Sequence, residues 1–312
     1  MKIGIVGYGN LGAALVRTAS QYGHEVYGVF SRRDKEALTE LACNYYSFSE
    51  IVEHKGRIDA VINAGGSKTD LAKTTPALAE HFDIVDSYDI HSSLAQHRER
   101  TALAARGSSH VALVGVGWDP GLFSVLRIYM AAFSHSSPNT FWGAGVSQGH
   151  SQALRSIRGV KKAVEYTVPR EEAVKRAERG AEITDDFERT KRICYVVADS
   201  EHSRIEKEIK SMPDYFLGYE TEVHFITDGE FSKKHTELYH RGRLLFTRAG
   251  ADRLKMDMSV SFSSNPNFTA SVLLSAVNAI VKMRKNEKFG AYTMADIPPE
   301  FFLEEDKYWQ YM

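Results

Sequence analysis

Gly7-Tyr8-Gly9-Asn10-Leu11-Gly12 comes directly after a short apolar run, Lys2 to Val6, and directly before a helical pattern at residues 10–21. The apolar run has no polar alternation, which is typical of a parallel strand buried on both faces. Between a strand and a helix, the first glycine allows a tight turn, the second lets the main chain approach a pyrophosphate, and the third lets the helix pack closely. The stretch therefore predicts a Rossmann-type dinucleotide-binding domain.

The end of the next strand indicates which nicotinamide dinucleotide binds. The strand pattern at residues 25–30 ends in Ser31-Arg32-Arg33. NAD enzymes place Asp or Glu there to bond the ribose hydroxyls, and that carboxylate would repel a 2′-phosphate. Arginine instead offers a planar fork of donors that suits phosphate oxygens. We predict NADP. The alternative is a solvated basic turn before a helix at residues 34–41, with Asp34 as its cap or as an NAD-type acid.

Composition limits the class of protein. A chain of 312 residues suits two domains, and 43% hydrophobic with 25% charged residues is ordinary for a soluble enzyme. The formal net charge of −1 argues against binding to nucleic acid or to an anionic membrane. Two cysteines, Cys43 and Cys194, are too few for a disulfide framework or a thiolate metal site. We expect a cytoplasmic protein without a signal peptide, a membrane span or a metal.

Strand and helix patterns alternate through the first third of the chain, as in a doubly wound parallel sheet. Strands are predicted at residues 58–62, 82–85 and 111–114, with helices at 71–81 and 92–106. Ligands bind beyond the carboxyl ends of such strands. The cofactor-binding candidates are therefore Gly7, Tyr8, Gly9, Asn10, Leu11, Gly12, Ser31, Arg32, Arg33, Gly65, Gly66, Ser67, Ser87, Tyr88, Gly117, Trp118, Asp119 and Pro120.

After about residue 120 the pattern changes to strands rich in Tyr, Val and Thr, typical of an α+β domain with a mostly antiparallel sheet. Strands are predicted at residues 191–198, 219–227, 243–247 and 254–262, helices at 203–210 and 269–284, and a mobile surface loop at 180–188. We predict an α/β nucleotide domain at residues 1–120 and a second domain at 121–268. The C-terminal helical region, 269–312, is expected to pack back on the first domain.

Two aspartates at strand ends are the candidate catalytic residues. Asp89 and Asp119 each lie in a passage from strand to helix, where a carboxylate could bind and polarise an ammonium group near the nicotinamide. Trp118 beside Asp119 could wall a pocket. The alternative is that both aspartates are helix caps.

A glycine-rich stretch in the second domain is a candidate carboxylate site. Residues 141–150 contain three glycines and precede a helix predicted near Ser151. Main-chain N–H groups at a helix N-terminus could bind a carboxylate there. A connecting loop is the alternative reading.

Several blocks in order closely resemble the meso-diaminopimelate dehydrogenases, nearly from end to end. Besides the glycine and arginine motifs, they are Asp86-Ser87-Tyr88-Asp89, Gly117-Trp118-Asp119-Pro120-Gly121, Phe141-Trp142-Gly143, Ser147-Gln148-Gly149-His150-Ser151, Met212-Pro213-Asp214-Tyr215-Phe216 and Asn265-Pro266-Asn267-Phe268-Thr269. The chain departs from the family at Gly115-Val116-Gly117, where a hydroxyl residue is usual, and at Tyr239 and Arg241, where Pro and Gly are usual.

The resemblance implies NADP-dependent oxidative deamination of the D-centre of meso-2,6-diaminoheptanedioate in lysine biosynthesis. It also implies a cytoplasmic homodimer whose second domain binds substrate and forms the dimer interface. Asp89 and Asp119 would lie at the D-centre, Trp118 and Trp142 would shape the pocket, and Gln148 and Gly149 would contact substrate. The distal L-head would be held by Thr167, Arg192, His240 and Asn265. Rival readings are another NADP-dependent amino-acid oxidoreductase on the same scaffold and a non-catalytic NADP-binding sensor.

Overall fold

The computed structural model describes residues 1–38, 40–213, 215–235, 239–303 and 307–312, except the side chains of residues 68, 69 and 148. The strands are β1 (Lys2–Val6), β2 (Glu25–Ser31), β3 (Tyr45–Ser47), β4 (Ala60–Asn63), β5 (Ile84–Asp86), β6 (Val111–Leu113), β7 (Asn139–Trp142), β8 (Gly145–Val146), β9 (Val160–Pro169), β10 (Thr190–Ala198), β11 (Thr221–Phe225), β12 (His240–Arg248), β13 (Leu254–Phe262) and β14 (Gly290–Tyr292). The α-helices are α1 (Asn10–Thr18), α2 (Ala72–Ala79), α3 (Leu94–Gly107), α4 (Leu122–Ser134), α5 (Gln148–Arg155), α6 (Glu171–Glu178), α7 (Asp186–Arg189), α8 (His202–Lys210), α9 (Asp228–Lys234) and α10 (Asn265–Lys285).

The chain divides into two compact units. Unit 1 comprises Met1–Ile128 and Pro266–Met312, and unit 2 comprises Tyr129–Asn265. The predicted domain boundaries were at residues 120 and 268. The boundaries between the units fall instead within α4 and at the start of α10, so each lies in a helix and not in a loop.

Unit 1 contains, within the described residues, a seven-stranded sheet in the order β14-β6-β5-β4-β1-β2-β3. Every pairing between neighbouring strands is parallel. The order reverses at β1, so the loop after β1 lies at the switch point where such sheets bind ligands. The predicted doubly wound parallel sheet is confirmed. Strand β14 was not predicted, since three residues after a long helix give too short a pattern to recognise.

The core of unit 1 includes residues distant in sequence. Ile3, Ile5 and Leu15 are fully buried and pack in one cluster with Leu273 and Val277 of α10. The apolar stripe of α10 is thus a core face, as its helical spacing predicts. None of the helices in the described part of the chain is both long and apolar enough to cross a membrane.

Unit 2 contains two smaller sheets among its described residues. One has the order β11-β10-β9-β8, with only the β10–β11 pair parallel, and the other is the antiparallel β13-β12-β7. The predicted mostly antiparallel second domain is confirmed. The long pairing of β9 with β10 places Thr167 opposite Arg192 and Glu165 opposite Cys194.

Two local predictions are wrong. The helix expected at residues 34–41 is only a 3₁₀ turn, Lys35–Ala37, because Leu38 leaves helical geometry and is buried in the core of unit 1. The expected mobile loop at 180–188 is partly ordered by packing. Ile183 is buried, its N–H donates to Asn139 Oδ1 at 2.7 Å, and Asp185 caps α7.

Candidate active site

The glycine loop has the geometry that a bound pyrophosphate needs. Gly7 has φ +89°, and a Cβ on Gly12 would stand 2.2 Å from the Gly7 carbonyl oxygen, so only glycine allows this contact between loop and helix. A Cβ on Gly9 would meet nothing within 4 Å, so the main chain there is open to a ligand. Gly9 also precedes the first turn of α1, whose N–H groups have no side-chain cap. The loop fits a dinucleotide.

The two arginines after β2 are exposed and bound to neighbours in unit 1. Arg32 forms an ion pair with Asp70 and lies over the Phe48 ring, 5.6 Å from its centroid. The guanidinium of Arg33 donates to the carbonyl oxygen of Tyr8. Both cations therefore lie at the carboxyl edge of the sheet beside the glycine loop, where a 2′-phosphate could bind.

Ser31 and Asp34 differ from the arginines. Ser31 is buried, and its Oγ accepts the N–H of Arg33 at 3.0 Å, so the hydroxyl shapes the turn. Asp34 occupies the N-cap position of the 3₁₀ turn, but its side chain makes no capping hydrogen bond.

The loops after β4 and β5 are joined to each other. Gly65 and Gly66 lead into a π-helical turn that begins at Ser67. Ser67 Oγ accepts the N–H of Asp89 at 3.1 Å, so these two candidate regions are adjacent.

Asp86, at the end of β5, has a buried carboxylate that binds the backbone of the neighbouring loops, whereas Asp89 is exposed. Asp86 Oδ1 accepts N–H groups of Tyr88 and Gly115, and its Oδ2 lies 2.6 Å from His97 Nε2, with both side chains fully buried. Asp89 is exposed, and the following 3₁₀ turn has Ile90 at its N-cap. The capping alternative for Asp89 is therefore not supported, and its carboxylate is accessible.

Asp119 lies in a tight turn before α4. A Cβ on Gly121 would stand 2.0 Å from the Gly117 carbonyl oxygen, so the turn closes only with glycine there. The Asp119 carboxylate, 7% exposed, is bound by both terminal nitrogens of Arg127 and by the Ser124 hydroxyl at 3.3 Å. These partners are side chains rather than first-turn N–H groups, so Asp119 is not a helix cap. Its neighbour Trp118 is half-buried.

The glycine-rich stretch of unit 2 is pinned to neighbouring strands. A Cβ on Gly143, at φ +99°, would stand 1.9 Å from the Thr167 carbonyl oxygen. The N–H groups of Gly143, Val146 and Ser147 donate to the carbonyl oxygens of Arg241, Tyr239 and Glu165, respectively. The predicted main-chain cradle is therefore limited to the first turn of α5, which begins at Gln148 instead of near Ser151. The side chain of Gln148 lies outside the described residues.

Thr167 and Arg192 form a buried polar cluster with Glu165. Arg192 Nη1 donates to Thr167 Oγ1, which donates to Glu165 Oε1 at 3.1 Å. The Arg192 guanidinium also lies over the Tyr219 ring, 4.3 Å from its centroid. The residue is only 8% exposed, and its buried Nε has no hydrogen-bond partner among the described residues. A buried guanidinium with a donor to spare suits an anionic ligand.

Burial shifts the pKa of Glu165 and that of the neighbouring His150. Burial, and then the charge of Arg192, lowers the pKa of His150 to about 4, so this imidazole is neutral at physiological pH. Burial raises the pKa of Glu165 to about 7, although Arg192 and Thr167 act in the opposite direction.

Trp142 and His240 belong to the β13-β12-β7 sheet, and Asn265 follows its strand β13 in the chain. Trp142 lies opposite Gly242 in the register of β7 with β12, and His240 opposite Phe262 in that of β12 with β13. The rings of His240 and Phe262 stack at 5.5 Å, and Asn265 begins α10 three residues after Phe262. His240 is buried in β12, and this burial lowers its pKa.

Sequence reasoning missed Asp70, Arg127 and Glu165. Asp70 and Arg127 are helical residues whose partners are 38 and 8 residues away, so no motif connects them. Glu165 had a weak signal, since a Glu two residues before Thr167 shares its strand face.

Comparison with known proteins places this geometry in a family. The family model described as the diaminopimelic acid dehydrogenase C-terminal domain matches residues 117–264, and that described as NADP oxidoreductase, coenzyme F420-dependent, matches residues 2–74. The meso-diaminopimelate D-dehydrogenase of Corynebacterium glutamicum is 39% identical, over 98% of this chain and 96% of the relative. That of Acetivibrio thermocellus is 38% identical, over 96% and 93%. The chain belongs to the meso-diaminopimelate D-dehydrogenase family.

Solved structures agree with this assignment. The C. glutamicum DAP dehydrogenase in complex with DAP matches with a TM-score of 0.88 and 38% identity, over 98% of this chain and 96% of that one. An engineered D-amino acid dehydrogenase bound to NADP⁺ matches with a TM-score of 0.83 and 36% identity, over 98% and 97%. This family member is therefore an amino-acid dehydrogenase, and its cofactor is NADP.

Proposed function

We propose that the chain catalyses the reversible oxidative deamination of meso-2,6-diaminoheptanedioate at its D-centre. Water and NADP⁺ are consumed, and L-2-amino-6-oxoheptanedioate, ammonium, NADPH and a proton are formed. The keto acid then cyclises to tetrahydrodipicolinate, a lysine precursor. The observation that carries this proposal is the match over 98% of the chain to the C. glutamicum enzyme.

Unit 1 would hold the cofactor. The glycine loop with Tyr8, Asn10 and Leu11 would bind the pyrophosphate, and Arg32 and Arg33 the 2′-phosphate. The loop residues Gly65, Gly66, Ser67, Ser87, Tyr88, Gly117 and Pro120 would line the remainder of the site. When bound, NADP⁺ accepts the α-hydrogen of the D-centre as a hydride.

Asp89 and Asp119 would act on the reacting amine. Hydride loss requires a neutral amine whose lone pair can form the imine, so one carboxylate must first take a proton from the ammonium group. An ionised carboxylate would then stabilise the cationic imine. Asp89 is accessible, whereas Asp119 is held by Arg127. Either can be the base on this geometry. Trp118 would form the wall beside them.

Unit 2 would hold the distal L-amino acid head. Arg192 would pair with its carboxylate, and Thr167, His240 and Asn265 would add directional hydrogen bonds. Trp142, Gln148 and Gly149 would complete the pocket. Because the two heads of a meso compound differ only in hand, fixing one of them selects which α-hydrogen reacts.

We also propose a cytoplasmic homodimer in which unit 2 supplies the interface. The exposed apolar side chains of Tyr129 and Phe133 on α4 support a surface that is covered in the assembly. Light scattering of the purified chain measures its oligomeric state.

Isomers of the substrate test the function. The purified protein is offered meso-, LL- and DD-diaminopimelate with NADP or NAD, and the absorbance of the reduced nicotinamide is followed. We expect rapid turnover of the meso isomer, none of the LL isomer, which lacks a D-centre, and slow turnover of the DD isomer, whose distal head has the wrong hand. Turnover of another amino acid alone would favour a different oxidoreductase, and NADP binding without any turnover would favour a sensor.

A further inference from the structure

Glu165 is a fully buried carboxyl group behind the proposed L-head site. It shares one face of β9 with Thr167, and across the sheet these residues lie opposite Cys194 and Arg192. Its Oε1 accepts the Thr167 hydroxyl at 3.1 Å and lies 3.6 Å from Arg192 Nη1. The backbone N–H of Glu165 donates to Ser151 Oγ at 2.9 Å, which fixes this part of the strand to α5.

The direction of these hydrogen bonds limits what Thr167 can do. While Glu165 is ionised it can only accept, so the Thr167 proton points at Glu165 and its oxygen accepts from Arg192. The hydroxyl then has no proton to offer to a bound carboxylate. When Glu165 carries a proton, it can donate to Thr167, and the Thr167 proton is released toward a ligand.

The negative charge of an ionised Glu165 also weakens the binding of a carboxylate ligand. An ionised Glu165 partly neutralises Arg192, so an arriving carboxylate meets both a weaker attraction and a second anion close by. A neutral Glu165 leaves the full guanidinium charge to the ligand.

Two titratable neighbours of Glu165, His150 and Cys194, have pKa values shifted away from neutral pH. His150 on α5 is neutral, since its pKa is about 4, and burial together with the Glu165 carboxylate raises the pKa of the Cys194 thiol. Arg192 and, on α8, Lys210 are the cations that act on Cys194 in the opposite direction. Strands β7 and β8 carry no titratable side chain.

We propose that Glu165 is a positioning residue that acts through Thr167 and Arg192, and that its protonation state sets how tightly the distal carboxylate of the substrate is held. This inference rests on the proposed function, which assigns the L-head to Thr167 and Arg192. The pKa of about 7 places the change within the physiological range. Substrate should therefore bind more tightly below neutral pH than above it.

The Glu165→Gln variant tests this by removing the charge and by offering Thr167 an NH₂ donor, as the protonated carboxyl group does. For a coupling of about one pKa unit between the two carboxylates, KM of the wild type for meso-diaminopimelate should rise about fivefold from pH 6 to pH 8. In the variant this rise should be lost, and KM should stay near the value that the wild type has at pH 6. The kcat of the variant should change little. Glu222→Gln is the matched control, since Glu222 is a partly exposed strand carboxylate of the same sheet paired with Lys191 at 2.6 Å.

Calorimetry adds a readout that a structural role would not move. By linkage, binding of meso-diaminopimelate to the wild type at pH 7 should take up about 0.4 proton, measured in two buffers of different ionisation enthalpy. The Glu165→Gln variant should take up none. The same KM rise or the same proton uptake in this variant would overturn the inference alone. Absence of turnover with the meso isomer at every pH would instead overturn the proposed function, and this inference with it.

Discussion

Replacing both Arg32 and Arg33 with alanine should weaken NADP binding far more than NAD binding. Each guanidinium can give a phosphate charge-assisted hydrogen bonds worth about 1.5–3 kcal/mol. Against this stands the cost of releasing Arg32 from Asp70. That pair has 62% of the arginine and 23% of the aspartate side chain exposed, so it contributes about 0–1 kcal/mol.

The net loss for the pair of substitutions is thus roughly 2–5 kcal/mol, or about 30- to 5,000-fold in the dissociation constant of NADP. NAD lacks the 2′-phosphate, so its dissociation constant should change by less than about threefold. Fluorescence titration of the purified protein with both cofactors measures the two constants. Arg176→Ala is the control, because this half-exposed helix residue pairs with Glu188 in unit 2.

Equal losses for the two cofactors would refute the reasoning. They would show that the arginines support the loop, as the bond of Arg33 to the Tyr8 carbonyl allows, without contacting the 2′-phosphate. Raising the salt concentration gives an independent check. A phosphate contact at an exposed site should weaken with salt in the wild type and much less in the double variant.

Three further predictions follow from single contacts. Gly12→Ala should lower the free energy of unfolding by about 1–3 kcal/mol and weaken NADP binding, because its Cβ would collide with the Gly7 backbone. Urea unfolding measures the loss, with Gly107→Ala as the control because the space at its Cβ is open. Asp119→Asn should reduce kcat by about 100-fold or more and leave NADP affinity nearly intact, and an unchanged rate would remove its catalytic role. Glu165→Gln should stabilise the chain at pH 8 by up to roughly 3 kcal/mol but little at pH 4, since a carboxyl whose folded pKa is raised from 4.5 to about 7 loses native-state stability as pH rises between these two values. A difference in stability that is independent of pH would contradict this.

Backbone patterns near the start of the chain could be predicted from sequence because their physics is local. Gly7 is required by its positive φ, and Gly12 by its close contact with the Gly7 carbonyl group five residues earlier. Strand β1 is recognisable from its unbroken apolar run. The short turn at Lys35–Ala37 was missed because burial of Leu38 overrides the helical composition of its neighbours. A local sequence pattern therefore does not predict the backbone where packing against a distant part of the core determines its conformation.

The candidate site shows the same limit in its side chains. The end of a predicted strand made Asp119 a candidate, and the family resemblance made Thr167 and Arg192 candidates. The partners that orient these side chains come from elsewhere in the fold. Register explains why: Arg192 meets Thr167 and Glu165 only because β9 and β10 pair in antiparallel register along nine positions of β10, with a single shift near Ala198. Such a register depends on the whole sheet and leaves no mark in a short window of sequence.

Three arginines near the candidate sites share one arrangement. Arg32, Arg127 and Arg192 each lie against a carboxylate of their own unit: Asp70, Asp119 and Glu165, respectively. A guanidinium already held by a partner loses less side-chain freedom when a ligand arrives, because its long side chain is fixed beforehand. The partner carboxylate also offsets part of the charge of the guanidinium. An anionic ligand therefore meets a well-oriented guanidinium but is attracted to it less strongly. At Arg32 the offset is small because water screens the exposed pair, whereas at buried Arg192 it depends on whether Glu165 is ionised. Burial raises the pKa of Glu165 to about 7, so the attraction of Arg192 for an anionic ligand can respond to pH.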